Sequence, residues 1–202
     1  GSRYTIAGGR SWWDDAVQHN GKEMSYLNVL DTEAAWQLVH KFSEPAAVII
    51  KHANPCGVAF AANALDAYQA AFDADPVSAF GGIVAFNQKI DRDCARAMSS
   101  IFLEVIIAPA FEPEALEIFQ QKKNLRLIEW ASPHFSPFEV RSSMGGWLIQ
   151  SSDQEGIPSD LKMVTHHGSI SGTVQRDLEF AWLVTKHVRS NAIVLAKDGQ
   201  TL

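Results

Sequence analysis

The sequence has 202 residues, of which 47% are apolar and 20% are charged. These are the proportions of an ordinary soluble globular protein with room for one sizeable core. The net charge of −6 and the lack of a basic stripe exclude a general nucleic-acid binder, and no apolar run approaches the roughly 20 residues of a membrane span. We therefore expect a cytoplasmic protein that binds neither nucleic acid nor membrane, although a single small anionic ligand needs only two or three local cations.

Helical signals recur along the chain, with capping residues and stop signals at their ends. Asp31 occupies an N-cap position ahead of apolar residues at helical spacing, and Pro45 and Pro76 end the first two helices. The predicted helices cover 32–42, 64–75, 91–102, 112–124 and 176–188.

Short apolar runs lie between these helices and predict buried strands. They cover 45–50, 81–87, 104–109, 125–130, 145–150 and 191–196. Lys197-Asp198-Gly199 predicts a hairpin turn into a further strand, and the polar, Gly/Ser-rich residues 151–175 predict a long excursion. Because helices alternate with short strands, the sequence predicts an α/β protein whose sheet is covered by helices.

The segment KHANPCG, residues 51–57, places Lys51 and His52 side by side at the end of a strand. An imidazole is the natural proton acceptor near neutral pH, and a lysine ammonium can stabilise an oxyanion or protonate a leaving nitrogen. The pair is equally consistent with a solvated strand cap next to a hydrogen-bonded turn residue. We expect Asn54, Pro55 and Gly57 to form the corner behind the pair.

Cys56 lies four residues after His52 and raises two alternatives, a cysteine nucleophile and a zinc-dependent hydrolase. The string HANPC partly matches the zinc deaminase pattern H-x-E…P-C-x-x-C, but it lacks both the glutamate and the second cysteine. A small apolar core residue is the favoured interpretation of Cys56. The adjacent His166 and His167 resemble a metal pair, yet in a Gly/Ser-rich stretch such a pair is more typical of a surface.

Three further positions have both a structural and a functional interpretation. SAFGG, residues 78–82, lacks the G-x-G-x-x-G spacing of a dinucleotide loop, so it predicts either a tight turn or a backbone that approaches a flat ring, with Phe80 as a wall. Asn28 and Asn191 can each cap a neighbouring segment. Their amides can equally read the donor and acceptor edge of a carboxamide.

Seven motifs occur in a fixed order from about residue 21 to the C-terminus. They are GKEMSYLNVLD, PAAVIIKHANPCGVA, DPVSAFGGIVAFN, EVIIAPAF, KKNLRLI, GGWLIQ and KHVRSNAIVLAKDGQTL. Together they closely resemble the AICAR transformylase portion of the bifunctional purine-biosynthesis family (transformylase/IMP cyclohydrolase).

The resemblance implies formyl transfer from the cosubstrate 10-formyltetrahydrofolate to the 5-amino group of AICAR (aminoimidazole carboxamide ribonucleotide), without a catalytic metal. It implies a three-layer α/β/α, cytidine-deaminase-like fold that lacks the zinc site, and a homodimer with active sites across the subunit interface. The family's catalytic pair falls on Lys51 and His52. The family's substrate-binding positions fall on Asn28, Phe80, Gly81, Gly82 and Asn191.

The resemblance also implies that residues 1–202 are an N-terminal fragment of the transformylase domain. The family's nucleotide- and folate-binding segments that lie beyond the seven motifs, and its cyclohydrolase domain, have no counterpart in this sequence. We therefore expect the 202 residues alone to be inactive. A non-catalytic module that keeps the fold for dimerisation is the alternative.

Overall fold

The computed structural model describes residues 4–5, 7–132, 136–162, 164 and 170–202. Its helices are α1 (Tyr26–Val39), α2 (Ala64–Ala74), α3 (Arg92–Met98), α4 (Pro113–Gln120) and α5 (Gly172–Thr185). Its strands are β1 (Val17–Asn20), β2 (Ala46–Lys51), β3 (Asn54–Phe60), β4 (Ile83–Phe86), β5 (Val105–Ala108), β6 (Arg126–Glu129), β7 (Phe138–Ser143), β8 (Gly146–Ser151), β9 (Ala196–Lys197) and β10 (Gln200–Thr201). Trp12–Asp14 forms a short 3-10 helix.

Eight of the strands form one mixed sheet in the order β1-β6-β5-β4-β2-β3-β10-β9. The neighbours β4, β5 and β6 are parallel, whereas every other pair is antiparallel. Since β2 and β4 run in opposite directions, the carboxyl end of β2 meets the amino end of β4, with Ile50 opposite Ile83. The Lys51–His52 pair lies at this carboxyl end of β2, in the middle of the sheet and not on one of its edge strands.

Helices cover both faces of this sheet, and each face has its own apolar core. Sheet residues such as Ile49 and Val84 pack with α2, α3 and α4 on one side. Their chain neighbours Ile50 and Ile83 pack with α1 and α5 on the other side, as the alternation of side chains along a strand requires. The predicted α/β protein with a helix-covered sheet is confirmed, in three layers.

The first helix begins earlier than predicted. Ser25, not Asp31, is its N-cap: the Ser25 hydroxyl accepts the Asn28 backbone N–H at 3.1 Å, and the Asn28 side-chain oxygen accepts the Ser25 N–H at 3.1 Å. The apolar pattern missed this turn because Tyr26 and Leu27 are exposed, so periodic burial begins only later in α1. Asp31 lies inside the helix.

The predicted strand 191–196 is wrong for most of its length. Only Ala196–Lys197 pairs, at the outer edge of the sheet, and Ile193 and Leu195 are exposed. Strand β9 pairs only with the two-residue strand β10, through Lys197 opposite Gln200 and Ala196 opposite Thr201, so the described sheet offers no partner strand to residues 191–194. The hairpin turn after it is confirmed, with Asp198 and Gly199 both at positive φ.

Three strands were not predicted. Strand β3, antiparallel to β2, was missed because the sequence assigned its first residues to the corner behind the Lys51–His52 pair. Strand β1 is antiparallel to β6 at the edge of the sheet, and β7 pairs with the predicted β8 in a separate two-stranded hairpin. Strands β1 and β7 lack a buried apolar run, and every residue of β7 is exposed.

The described part of 152–171 has little regular structure, in agreement with the predicted excursion over 151–175, but residues 172–175 already belong to α5, which begins four residues earlier than predicted. No helix within the described residues combines the length and the apolar character that a membrane crossing requires.

Candidate functional site

Lys51 and His52 lie at a tight two-residue turn between β2 and β3. Lys51 pairs with Asn54 in the strand register, and the turn consists of His52 and Ala53, at φ 55° and 58°. The expected corner at residues 54–57 is therefore wrong, because Asn54 already begins β3. Two successive residues in the left-handed region are the geometry of the hairpin turn that matches strand twist, which usually selects Asn or Gly.

Pro55 and Gly57 lie in strand β3 and not in the turn. The register shifts between Ile50, opposite Pro55, and Ile49, opposite Gly57, so Cys56 is the extra residue of a β-bulge. A bulge tolerates Pro55 because the missing N–H interrupts no ladder hydrogen bond.

The Cys56 thiol is a poor candidate nucleophile. It donates to the Ile49 carbonyl at 3.5 Å, and burial, with a smaller effect of the Asp75 carboxylate, raises its pKa to about 11. The reactive form of a cysteine is the thiolate, which is scarce at neutral pH under these conditions. This supports the packing role that the sequence favoured.

The Lys51 side chain joins the turn to the SAFGG segment. Its ammonium donates to the Phe80 carbonyl at 2.8 Å, and the side chain remains partly exposed. The same ammonium contributes to a lowered pKa of the nearby Asp75 carboxyl, for which the hydrogen bond with the Ser78 hydroxyl is the largest cause. With one of its three N–H groups assigned to Phe80, Lys51 keeps two for a ligand.

The Phe80-Gly81-Gly82 turn presents an exposed aromatic ring beside Lys51. Phe80 is 58% exposed, and its ring lies 5.4 Å from that of Phe102. The Gly81 N–H donates to the Phe102 carbonyl at 2.8 Å. A Cβ on Gly82 would lie 2.9 Å from the Ala79 oxygen and 3.2 Å from the Ile50 oxygen, so glycine lets this turn approach the end of β2.

Asn54 fastens the same hairpin to the segment after α5. Its side-chain oxygen accepts the Arg189 backbone N–H at 3.0 Å, across 135 positions of the sequence. Asn191 follows two residues later, and its side-chain oxygen accepts the Ser190 hydroxyl at 2.9 Å. Hydrogen bonds thus link the three turns that the sequence singled out: the hairpin at 51–54, the turn at 80–82 and the segment 189–191.

Asn28 lies apart from this set of hydrogen bonds. Its side-chain oxygen accepts from the N–H and the hydroxyl of Ser25 in the cap of α1. Its amide nitrogen has no hydrogen-bond partner among the described residues. The capping interpretation is therefore supported, and the substrate-binding role of Asn28 stays a prediction that its free donor group permits.

Two residues of the candidate site were missed. Asn54 was assigned only to the corner, and its bond to Arg189 could not be foreseen because no local pattern links positions so far apart. Phe102 supports Phe80 through its ring and Gly81 through its carbonyl. Its place at the end of a predicted helix gave no signal of this contact.

The Lys51–His52 pair lies on an open surface. It lines neither of two cavities, of about 310 Å³ and about 470 Å³. No group of three histidine, cysteine, aspartate or glutamate residues within the described ranges is placed to hold a metal ion. His166 and His167 lie outside those ranges.

The order of the seven motifs is matched across the whole chain: the sequence model of the AICARFT/IMPCHase bienzyme family aligns with residues 2–202. The chain belongs to this family. Among curated members, the bifunctional purine biosynthesis protein PurH of Desulfitobacterium hafniense is 52% identical over 188 residues, and PurH of Thermoanaerobacter sp. is 48% identical over 189 residues. These alignments cover 92% and 93% of this chain, but only 36% and 37% of the relatives.

The chain therefore spans about a third of the length of the curated family members that it matches. Among solved structures, RibD of Acinetobacter baumannii aligns with a TM-score of 0.40 and 15% identity, over 51% of this chain and 36% of that one. A TM-score of 0.40 does not establish a shared fold.

Proposed function

We propose that the chain forms part of an AICAR formyltransferase of purine (IMP) biosynthesis, with Lys51 and His52 as its catalytic pair. One observation carries the proposal. An ammonium and an imidazole are held next to each other on a tight turn that hydrogen bonds fasten to Phe80 on one side and to Arg189 on the other. Functional groups held in sparsely populated backbone conformations are typical of active sites.

The chemistry of formyl transfer needs one base and one cationic donor. The AICAR amine is a weak nucleophile because its lone pair is delocalised through the ring towards the carboxamide. As its nitrogen attacks the formyl carbon, His52 accepts the amine proton. The oxyanion of the tetrahedral intermediate is stabilised by the Lys51 ammonium, which protonates N10 of the folate as the carbon–N10 bond breaks. The products are formyl-AICAR and tetrahydrofolate, and no step requires a metal.

The surrounding turns supply groups that suit a flat, polar substrate. The exposed Phe80 ring and the small, partly exposed Gly81 allow a heteroaromatic ring to lie against the backbone, and the buried Gly82 lets this turn pack against the end of β2. The Asn191 amide offers donors and an acceptor for the AICAR carboxamide or ring, and the Asn28 amide nitrogen, which lies outside these turns, offers donors. We assign substrate binding to these five residues on the family resemblance and on this chemistry.

The proposal extends to the assembly. We propose that the three layers form a cytidine-deaminase-like unit without a zinc site, and that this unit is the N-terminal part of the transformylase portion of a cytoplasmic homodimer. The open position of Lys51 and His52 is what a site completed by further chain segments or by a second subunit requires. On this account the 202 residues alone formylate AICAR slowly or not at all, because correct positioning of the substrates lowers the activation barrier by several kcal/mol.

A dimerisation module without chemistry is the second candidate, and one observation favours it. The β7–β8 hairpin is exposed on both of its faces and carries large apolar side chains, including Trp147 and Leu148. Binding of AICAR at the Lys51–His52 turn distinguishes the two candidates.

Calorimetric titration of AICAR into the 202-residue chain tests the proposal. We expect saturable binding that weakens about tenfold in Lys51→Met and in His52→Ala, since each substitution removes a hydrogen bond to the ligand. Lys123→Met is the matched control, because Lys123 is an exposed lysine beyond α4, and it should leave the affinity unchanged. Formylation by the parent chain, measured with 10-formyltetrahydrofolate, should be negligible.

Two results would count against the account. If AICAR bound with equal affinity to the parent chain and to His52→Ala, His52 would not be part of the substrate site. Rapid formylation that His52→Ala abolishes would support the roles of the pair and overturn the proposed incompleteness of the site.

A further inference from the structure

Strand β6 begins with a buried charge. Arg126 is its first residue and is 9% exposed, and the strand continues with the buried Leu127 and Ile128. An arginine is rarely buried to this degree unless it is paired, and replacing a buried ion pair by apolar residues of similar volume is often neutral for stability. Stability alone therefore does not account for an arginine at this position.

The Arg126 guanidinium makes hydrogen bonds in two directions. Its Nε donates to the Glu23 carbonyl at 3.1 Å, and its Nη1 donates to the Glu104 carboxylate at 2.6 Å. The Arg126 backbone N–H also donates to the Glu104 carbonyl at 3.1 Å. Because the guanidinium is planar and holds its donors in a fixed fork, it keeps the chain at Glu23 and the chain at Glu104 in a fixed relation.

The chain at Glu104 is bonded directly to the turn at 80–82. The Glu104 N–H donates to the Gly82 carbonyl at 3.0 Å, and the Gly81 N–H donates to the Phe102 carbonyl at 2.8 Å. The Arg126 guanidinium therefore holds the segment to which this turn is fastened.

The chain at Glu23 leads into the first helix. Glu23 lies two residues before Ser25, the N-cap whose hydroxyl accepts the Asn28 N–H at 3.1 Å. The chain also passes close to the start of β6 here, since a Cβ on Gly21 would lie 2.4 Å from the Leu125 carbonyl oxygen. The guanidinium bond to Glu23 therefore fixes the entry of the chain into α1.

We propose that Arg126 is a positioning residue of the formyltransferase, which holds the Asn28 amide and the turn at 80–82 at the separation that the AICAR ring requires. The inference rests on the proposed function, because that proposal assigns substrate contacts to these two segments. Arg126 acts through them and does not bind the substrate, since its side chain is buried and directs Nε and Nη1 at protein oxygens.

Calorimetric titration of AICAR into variants of the 202-residue chain tests this role. Arg126→Lys keeps the charge, but an ammonium does not reproduce the planar fork, so we expect AICAR to bind about tenfold more weakly. Glu104→Ala removes one of the two partners and should weaken binding in the same direction. Glu129→Ala is the matched control: it removes the ion pair with His19 at the other end of β6, with a side-chain exposure of 33% against 36% for Glu104, and should leave the affinity unchanged.

A double-mutant cycle separates positioning from a general loss of stability. Asn28→Asp keeps the capping oxygen and removes the amide donors, so alone it should weaken AICAR binding. In the Arg126→Lys background it should weaken binding little further, because the arginine acts by placing Asn28. Additive effects of the two substitutions, or parent-like affinity in Arg126→Lys, would overturn the role of Arg126 and leave the proposed function standing.

Amide hydrogen exchange tests the link without a ligand. In Arg126→Lys the amides of Asn28 and Glu104 should both exchange faster than in the parent chain, whereas the Trp130 amide, which donates to the Ala108 carbonyl beyond the other end of β6, should not change. Unchanged exchange of either Asn28 or Glu104 would overturn the link. If the parent chain fails to bind AICAR, the proposed function fails, while faster exchange of both amides still supports the link between the two segments.

Discussion

At the residue scale, the candidate site depends on two residues that hold an uncommon backbone conformation. His52 and Ala53 both lie in the left-handed region, which for an L-residue with a Cβ costs roughly 1–2 kcal/mol. The turn is held by the register pair Lys51–Asn54 and by the bonds that these two residues make to Phe80 and Arg189. The strain is therefore maintained by the contacts that also position Lys51.

Relief of this strain is the prediction at the residue scale. Ala53→Gly should raise the free energy of unfolding by about 0.5–1 kcal/mol, because glycine adopts positive φ without a steric cost and this gain exceeds its larger unfolded-state entropy. Ala59→Gly, in the buried strand β3, should lower it by about 1–2 kcal/mol. Urea unfolding of the two variants measures both. A loss of stability in Ala53→Gly would contradict the assigned turn.

The residues of the site differed in how far sequence could locate them. Lys51 and His52 were candidates because two proton-carrying groups at a strand end are unusual, and Phe80 because it precedes two glycines; their functional roles stay predictions. Asn54 and Phe102 were not found, since their roles arise from contacts with Arg189 and with the turn at 80–82 that form only in the folded chain.

At the element scale, most strands with buried apolar runs were predicted well, but β3 was not predicted, and α3 and α4 each end four residues before the predicted 102 and 124. The strand predictions for β4, β5 and β6 each differ from the structure by at most two residues at either end. The predicted ends of elements were wrong where a polar contact, and not burial, sets the end. The Ser25 cap that starts α1 is one case. Strand β1 has no apolar run, and its pairing with β6 depends on tertiary structure.

The packing of α2 on β3 gives the prediction at the element scale. A Cβ on Gly57 would lie 1.9 Å from the Ala71 carbonyl oxygen, inside the backbone of α2. Gly57→Ala should therefore destabilise the chain by about 1–3 kcal/mol or prevent folding, as overpacking does. In Gly146→Ala the new methyl group meets nothing within 4 Å, so the change should stay within about 0.5 kcal/mol. Thermal unfolding compares the two. Equal stability of both variants would mean that α2 does not pack on β3 as described.

At the scale of the whole molecule, the helix-covered sheet followed from the alternation of helices and strands and the three layers from the family resemblance, but the pairing of β7 with β8 followed from neither. Its strands pair only with each other, and a two-stranded hairpin alone is marginally stable in water. Trp147 is 71% exposed and Leu148 61% exposed. An exposed apolar surface of this kind is typical of a protein–protein interface.

Self-association through this hairpin is the prediction at this scale. The parent chain should form a dimer in a concentration-dependent manner in analytical ultracentrifugation, and Trp147→Ser should shift it towards the monomer. Val17→Ser, which changes an exposed apolar residue on β1, should not. A parent chain that stays monomeric at high concentration, or a dimer that Trp147→Ser leaves intact, would exclude the hairpin as the interface.

The central claim is that the Lys51–His52 turn is part of a substrate site, and the calorimetric titration of AICAR tests it most directly. The account predicts saturable binding to the parent chain, with an affinity about tenfold lower in His52→Ala and unchanged in Lys123→Met. Binding that is identical in the parent chain and in His52→Ala would contradict it.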